Sequence, residues 1–223
     1  MENNSTQNIY EKHHQNSRES GFSILEKERG ILLKEIIGEN KKVLDIGCRD
    51  GALTKYFSEK NDVTGVDIDN LSLAKAAKNL GIKTSFVDLN GDWRELKEEK
   101  FDFVVAGEIL EHLYHPEKII QQVIKYLDQG GLFLGSVPNA FSLKNRLRYL
   151  KGSKRFTPLS DPTHINHFSY NELKKIFEKY FLQVEIIGLG RYSWLAKKFP
   201  NFFAFDLFFK VSSFQNEKNI SSN

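Results

Sequence analysis

The stretch VLDIGCRDG, residues 43–51, joins an apolar segment to an aspartate and two glycines. A strand followed by a glycine-containing turn is typical of nucleotide binding at the edge of a parallel sheet. The dinucleotide fingerprint needs a glycine at the position of Arg49, and the negative charge of Asp45 would repel a pyrophosphate. A nucleoside with a zwitterionic amino-acid tail tolerates this acid better, so the stretch disfavours NAD.

Apolar runs of strand length recur after this stretch. They read KVLDIG, DVTGVD, KTSFVD, FDFVVAG and GGLFLGSV. Helical patterns lie between them, among them ALTKYFSEK at residues 52–60 and PEKIIQQVIKYLDQG, which we expect to stop at Gly130 and Gly131. Strands that alternate with helices predict a mostly parallel sheet covered on both faces.

The last third of the chain changes this rhythm. A helical pattern, YNELKKIFEKYF, is followed by the strand pattern LQVEIIGLG and by the apolar stretch FFAFDLFFKVSS. Two consecutive strands at this place predict an antiparallel edge on the parallel sheet.

Length and composition favour one soluble domain. The chain has 223 residues, 40% hydrophobic and 27% charged, and its net charge of +3 is too small to indicate nucleic acid. One cysteine excludes an internal disulfide and fits a reducing cytoplasm, and no window is long and apolar enough for a membrane span. We expect flexible ends at residues 1–16 and 215–223 and one domain at 17–214.

Acidic residues stand at the ends of four predicted strands: Asp45, Asp67, Asp88 and Glu108. Asp67 follows Gly47 by 20 residues, a spacing suited to an acid that holds ribose hydroxyls. A carboxylate accepts two hydrogen bonds from a ribose diol, whereas helix capping alone would not place an acid after each of these strands.

The segments VLDIGCRDGALTKYF, GVDID, FVDLN, FDFVVAGEILEHL and LDQGGLFLGSVPN resemble, in this order, the motifs of class I S-adenosylmethionine-dependent methyltransferases. Within that class the chain resembles the ubiquinone-pathway O-methyltransferases and the methyltransferase type 11–23 group, over roughly residues 20–210. The resemblance implies an α/β fold: a Rossmann-like, seven-stranded, mostly parallel sheet with an antiparallel last strand and a variable helical cap. It also implies S-adenosylmethionine as the cofactor.

The resemblance carries a set of cofactor contacts onto this sequence. It implies Asp45, Gly47 and Gly51 around the methionine moiety, with Cys48 between them, and Asp67 on the ribose. Ile68 and Leu89 would lie beside the adenine ring, and Asp88 would accept from the adenine amino group. Arg49 stands where the family has its middle glycine, which puts the geometry of this turn in question.

The segment after the fourth strand, GEILEHLYHPEKI, carries a candidate metal site. Glu108, Glu111 and His112 have the spacing i, i+3 and i+4, which on a helix places them on one face. Two carboxylates and an imidazole suit a divalent ion such as Mg²⁺ or Mn²⁺, and the pattern resembles two metal-using methyltransferase branches. His112 could equally act as a general base or serve as a core residue hydrogen-bonded to Glu111.

Two more histidines occur in DPTHINHFS. His164 and His167 could complete the metal set or accept the proton of the methyl acceptor, since imidazole titrates near neutral pH. A structural alternative is a turn at residues 161–163, with Ser169 capping the next helix and His167 only packing. The sequence does not separate the two histidines. His115 we expect to be a solvated residue at a helix entry, and His13 and His14 have no assigned role.

Residues 141–168 form a predicted cap on the acceptor side. Six cations and no acid lie between Lys144 and Arg155, which is usual for a solvated helix face but also favours an anionic acceptor. RNA is the weaker choice, because Tyr149 and Phe156 are the only aromatics that could stack bases there. The aromatic tail WLAKKFPNFFAFDLFFKVSSF is expected to pack in the core, while its first half could touch a membrane surface or a second copy.

These patterns predict transfer of a methyl group from S-adenosylmethionine to a hydroxyl of a sugar, a glycan precursor or a small metabolite, with or without a metal. The lean toward a sugar rests on the segment HINHFSYNELKKIF, which resembles methyltransferases of surface-glycan pathways. An N-methyltransferase, an RNA 2′-O-methyltransferase and a non-catalytic cofactor-binding subunit stay open, as does the oligomeric state.

Overall fold

The structure, a computed structural model, describes residues 23–93, 96 and 99–214. The predicted flexible ends at 1–16 and 215–223 lie outside the described residues, as do His13 and His14. The predicted extent of the domain, residues 17–214, stays a prediction.

The chain divides into two compact units, Met1–Val105 and Ala106–Asn223. The elements of the first unit are α1 Glu26–Ile37, β1 Lys42–Ile46, β2 Asp62–Asp67, α2 Asn70–Leu80, β3 Lys83–Phe86 and the greater part of β4 Phe101–Gly107. Those of the second are α3 Pro116–Tyr126, β5 Leu127–Pro138, α4 Leu143–Leu150, α5 Tyr170–Glu178, β6 Phe181–Leu189, α6 Ser193–Lys198, α7 Pro200–Phe203 and β7 Asp206–Phe214.

The strands form a seven-stranded sheet in the order β3-β2-β1-β4-β5-β7-β6. Strand β1 is parallel to β2 and to β4, with Asp45 opposite Gly65 on one side and Val105 on the other. Strand β7 is antiparallel to β5 and β6. The predicted fold class, a mostly parallel sheet with an antiparallel last strand, is confirmed.

The position of β1 matters for function. The chain runs from β1 outward to β2 and β3, and then returns to place β4 on the other side of β1. In an open parallel sheet, ligands bind beyond the carboxyl ends of the strands at such a switch point. The quoted turn at residues 47–51 follows the carboxyl end of β1.

Two predicted helices are wrong in their extent. The pattern at residues 52–60 forms only a 3₁₀ turn, Thr54–Tyr56, because the Thr54 hydroxyl is tied to a buried Asp45 carboxylate. Helix α3 ends at Tyr126 rather than at Gly130, since Leu127 is already extended and buried as the first residue of β5.

The aromatic tail is divided between core and surface. Phe208 and Phe209 of β7 are buried, and the Phe209 ring lies 5.0 Å from Phe133 and 4.6 Å from Phe177. Core packing is therefore confirmed for this half of the tail. Trp194 and Phe199 in the first half are exposed. Among the described residues no helix has the length and the apolar character required to cross a membrane.

Candidate functional site

The turn after β1 keeps a left-handed backbone at three residues. Gly47 and Gly51 have φ values of 72° and 82°, and Arg49 between them has φ 50°. Glycine adopts this conformation without strain, whereas an arginine there costs on the order of 1 kcal/mol. The turn therefore holds Arg49 in the conformation that the family's glycine would favour.

The backbone of Arg49 has a partner that explains how this conformation is held. Its N–H donates to Oδ2 of Asp67 at 2.9 Å, while the N–H of Asp69 donates to Oδ1 of the same carboxylate at 2.9 Å. One backbone donor on each oxygen fixes the carboxylate at the end of β2. A carboxylate can accept several hydrogen bonds, which suits the ribose-diol role predicted for Asp67.

Asp45 is buried in β1 next to this turn. The hydroxyl of Thr54 donates to its Oδ2 at 2.6 Å. Burial raises the pKa of Asp45 to about 7; the Thr54 hydrogen bond opposes this rise and the charge of Asp67 adds to it. An ammonium or sulfonium group beside these two carboxylates would offset their mutual repulsion.

Cys48 packs against the neighbouring strand. A Cβ added at Gly65 of β2 would lie 2.7 Å from the Cys48 sulfur, so the cysteine fills the space that this glycine leaves. Burial raises the pKa of the thiol well above its usual range. A contact between Cys48 and a cofactor is therefore restricted to backbone atoms unless the side chain moves.

The predicted adenine-side residues lie at the end of β2 and after β3. Oδ1 of Asp88 accepts from the N–H of Asn90 at 2.9 Å, and the carbonyl of the buried Leu89 accepts from the indole of Trp93 at 3.1 Å. Ile68 is half-buried. All eight predicted cofactor residues thus lie in the first unit, and their roles stay a prediction.

The predicted metal motif has a different shape from the one expected. Only Leu110–His112 form a helical turn, of the 3₁₀ type, and Glu108 precedes it with φ 59°. The carboxylate of Glu108 accepts from the Ser136 hydroxyl at 3.1 Å. The shared helical face predicted for Glu108, Glu111 and His112 is therefore not formed.

A three-residue cluster occurs in its place. Ligand atoms of Glu111, His112 and His164 all lie within 4.8 Å of one another. The rings of His112 and His164 meet edge to face, with centroids 4.8 Å apart, and Nε2 of His112 is 3.9 Å from Oε1 of Glu111. Glu111 and His112 are buried and His164 is half-buried.

Backbone hydrogen bonds join the two segments that carry this cluster. The carbonyl of Glu111 accepts from the N–H groups of Ile165 and Asn166 at 2.8 and 2.9 Å. Nδ1 of His112 lies 3.0 Å from the carbonyl of Thr163. A carbonyl only accepts, so Nδ1 carries the proton, and in the neutral ring Nε2 is the basic nitrogen.

Asp161 organises the turn that supplies this carbonyl. Its Oδ1 accepts from both the N–H and the hydroxyl of Thr163, at 2.9 and 2.6 Å, and its Oδ2 lies 3.7 Å from Nε2 of His164. The turn expected at residues 161–163 is present, as is the predicted cap at Ser169. The turn and the helix cap, which the sequence offered as a purely structural explanation, are therefore part of the segment that brings His164 next to His112.

His167 is not a member of this cluster. Its Nε2 is buried and has no hydrogen-bond partner within the described part of the chain. Burial lowers the pKa of His167, while a hydrogen bond to the Pro158 backbone opposes that fall. His115 is exposed at the start of α3, as expected of a solvated helix-entry residue.

Comparison with known proteins decides the family. A family model described as a methyltransferase domain matches residues 21–185, well over half of the chain. This chain belongs to the methyltransferase-domain family. The resemblance and the enzyme class predicted from the sequence, an S-adenosylmethionine-dependent methyltransferase, are confirmed at the level of family and fold.

The relatives of this methyltransferase-domain chain are distant. The ubiquinone biosynthesis O-methyltransferase of Aliivibrio fischeri (strain MJ11) is 29% identical over 151 residues, which cover 64% of each chain. The enzyme of the same name from Vibrio cholerae serotype O1 is 28% identical over 175 residues, 74% of this chain and 68% of that one. The Aliivibrio match thus spans less than two thirds of that protein's length.

Solved structures share the fold. An S-adenosylmethionine-dependent methyltransferase from Archaeoglobus fulgidus superposes with a TM-score of 0.63 at 17% identity, covering 92% of this chain and 99% of that one. At this identity the likeness shows the architecture of the methyltransferase domain and nothing about its acceptor.

Sequence analysis of this methyltransferase-domain chain missed several residues at the two sites: Thr54, Ser136, Asp161 as a positioning group, and the Thr163 carbonyl. Thr54 lies within the helical pattern predicted for residues 52–60, and its distance of nine residues from Asp45 carries no periodic signal. A backbone carbonyl has no signature in a sequence at all. The Asp161–Thr163 spacing is a turn signal, which indicates local structure and not the histidine that the turn contacts.

Proposed function

We propose that this chain transfers a methyl group from S-adenosylmethionine to a hydroxyl oxygen of a small anionic acceptor, such as a sugar, a glycan precursor or another metabolite. The observation that carries the proposal is the cluster of Glu111, His112 and His164, with its basic nitrogen at Nε2 of His112. A hydroxyl needs such a group, because its oxygen becomes a strong nucleophile only as its proton leaves.

The first unit would hold the cofactor. Asp67 would accept from the ribose hydroxyls, and Asp45 with the glycine turn would lie at the methionine moiety. When bound, S-adenosylmethionine supplies an electrophilic methyl group on a sulfonium. The carboxylate of Asp67 favours the positive charge of that ligand over the negative charge of a dinucleotide, and a positive charge beside Asp45 would lower the raised pKa of its carboxyl group.

His112 would act on the acceptor. The Thr163 carbonyl holds the ring in one tautomer, so that Nε2 can take the hydroxyl proton while the oxygen bonds to the methyl carbon and the methyl–sulfur bond breaks. Glu111 lies near enough to the ring to stabilise the imidazolium that results. His164 packs edge to face against the ring and restricts its orientation.

The donor set of this cluster also fits a divalent ion. Glu111, His112 and His164 would hold it, and two imidazoles with one carboxylate favour Mn²⁺ or Fe²⁺ over Mg²⁺, which prefers oxygen ligands. Such an ion would supply Lewis acidity that lowers the pKa of a bound hydroxyl. Glu108, which bonds Ser136, would join the set only after a change of its backbone or side chain.

The acceptor class rests on charge and on the relatives. The cations between Lys144 and Arg155 favour an anionic acceptor, and the relatives' names specify O-methylation. A cytoplasmic location stays part of this proposal and rests on the single, buried cysteine.

The test follows methyl-labelled S-adenosylmethionine in an extract of cells that lack the gene. Purified protein is added without EDTA, with EDTA, and with EDTA followed by Mn²⁺ or Mg²⁺ in excess. Label is counted in the small-molecule, glycan-lipid, RNA and protein fractions. We expect label in the small-molecule or glycan-lipid fraction, and loss on chelation with recovery by Mn²⁺ if the cluster holds an ion. Label in RNA or protein overturns the acceptor class, and cofactor binding without any transfer overturns the proposal.

A further inference from the structure

Helix α4 presents its apolar side chains outward. Leu143, Leu147 and Leu150 have the spacing i, i+4 and i+7, which places them on one face, and they are 40%, 51% and 83% exposed. In most surface helices of globular proteins the apolar face turns to the core, so this orientation is inverted.

Polar contacts hold the other face of α4 to the protein. The side-chain amide of Asn145 donates to the backbone carbonyl of Asn139 at 3.1 Å. The hydroxyl of Tyr149 donates to the backbone carbonyl of Ala140 at 2.9 Å. Nε of Arg146 donates to the carbonyl of Phe141 at 2.6 Å. These contacts fix the helix with its leucines exposed, so the exposure does not come from a loosely placed segment.

A second apolar segment lies beside α4. Arg146 donates to the Asn201 side chain at 3.1 Å, and its guanidinium lies 5.2 Å from the ring centre of Phe202. These contacts join α4 to α7 and to the exposed aromatic residues around it. The exposed set is Trp194, Phe199, Phe202, Phe203 and Phe205.

The two chain segments that carry these apolar groups contain basic residues and no acidic ones. Residues 141–160 contain six lysines and arginines, residues 190–205 contain three, and neither segment contains an acid. The whole chain carries only +3, so the positive charge is concentrated here. We name the exposed residues of 143–156 and 191–205 the cap surface.

We propose that the cap surface binds the surface of an anionic lipid bilayer. Leucine and aromatic side chains would enter the headgroup region, and the flanking lysines and arginines would contact the lipid phosphates. This combination is the one that peripheral membrane helices use. The proposal stands apart from the methyl transfer, although it would bring the protein to a lipid-linked acceptor.

Charge and side-chain type distinguish a bilayer from other occupants. A second copy paired through the same surface would set cations against cations, which costs energy. RNA bases could stack on the exposed aromatic residues of 191–205, but they would leave the exposed leucines of α4 without a partner. An anionic bilayer matches both the apolar groups and the charge.

Vesicle sedimentation tests the proposal with the full chain. Protein is mixed, at low and at high salt, with vesicles of phosphatidylcholine alone or with vesicles that also contain about 30% phosphatidylglycerol. We expect binding to the anionic vesicles that weakens with salt. Brominated lipids should quench the fluorescence of Trp194, which is 67% exposed, and should not quench that of the buried Trp93.

Matched variants distinguish binding through the cap surface from non-specific binding to lipid. Leu150→Ser and Lys151→Glu/Lys154→Glu should weaken binding at least about tenfold. Leu182→Ser, at a leucine that is 72% exposed on β6, and Lys118→Glu/Lys125→Glu should leave it unchanged. Equal binding to neutral vesicles, equal loss in the control variants, or no binding to anionic vesicles by well-folded protein overturns the proposal. Concentration-dependent dimerisation that Leu150→Ser abolishes would assign the surface to a second copy instead.

Discussion

The backbone N–H of Arg49 donates a hydrogen bond of 2.9 Å to the carboxylate of Asp67, 18 residues further along the chain. This bond links the turn after β1 to the end of β2. It forms with residue 49 in a left-handed backbone conformation and does not involve the arginine side chain. The hydrogen bond therefore depends on the main chain of residue 49, and a glycine at this position could form it as well.

Arg49→Gly should stabilise the protein and keep its cofactor affinity. Glycine removes the strain of φ 50° and preserves the N–H that Asp67 accepts, at the loss of the Arg49–Asp50 ion pair. We expect the free energy of unfolding to rise by about 0.5–1 kcal/mol in urea titrations. Arg49→Ala is the control, since it loses the same ion pair but keeps the strain. A glycine variant no more stable than the alanine variant contradicts this account.

Asp67→Asn should weaken S-adenosylmethionine binding by about tenfold to a hundredfold in calorimetric titration. An amide has one acceptor oxygen, so it cannot accept from both backbone N–H groups and from the ribose together. Asp62→Asn, at an exposed acid at the start of the same strand, should bind normally. Unchanged affinity in Asp67→Asn would remove this residue from the cofactor site.

Asp45 should make stability fall as the pH rises. The folded protein retains the proton on Asp45 up to about pH 7, whereas the unfolded carboxyl releases it near 3.8. The folded state therefore binds more protons between these values, and the free energy of unfolding decreases through this window.

Asp45→Asn checks this effect, because the amide still accepts from Thr54 but cannot ionise. The variant should match the parent at pH 4 and exceed it at pH 8 by on the order of 3 kcal/mol in urea unfolding. Asp102→Asn, whose carboxylate accepts from the Lys42 N–H, serves as the control acid. An equal difference at both pH values would show that folding does not raise the pKa of Asp45.

Asp161 should act as a positioning residue for His112 and His164. Asp161→Ala removes the acceptor that holds Thr163, and we expect methyl transfer to fall about tenfold or more with cofactor affinity unchanged. Asp161→Asn retains one acceptor oxygen and should lose less. Equal losses in the two variants, or a parallel loss of cofactor binding, would indicate a purely structural role. The exposed Asp128 provides the control substitution Asp128→Ala.

The strands and the cofactor turn could be predicted because their signals are local. An apolar run that ends in Asp45 and Gly47 has the same meaning in any sheet, and the register then places Asp67 on the neighbouring strand. The 3₁₀ turn at Thr54–Tyr56 could not be predicted, because the bond between Thr54 and Asp45 competes with helix formation only once the fold exists.

The acceptor-side cluster was predicted in part. The sequence named Glu111, His112 and His164 but also Glu108, because it assumed a helix where the chain forms a single turn. The sequence alone does not show which of His164 and His167 belongs to the cluster. They separate only when the carbonyl of Glu111 receives the N–H groups of Ile165 and Asn166, which turns His164 toward His112. Contacts between segments about 50 residues apart leave no periodic signal in one sequence.

The most direct test of the account measures label transfer and cofactor binding together in His112→Gln, with His115→Gln as the matched control. Glutamine retains a donor for the Thr163 carbonyl but has no basic nitrogen. We predict that His112→Gln loses label transfer by about a hundredfold or more while its S-adenosylmethionine affinity stays within about threefold of the parent. His115→Gln should transfer normally. Normal transfer by His112→Gln would contradict the proposal that this cluster activates the acceptor.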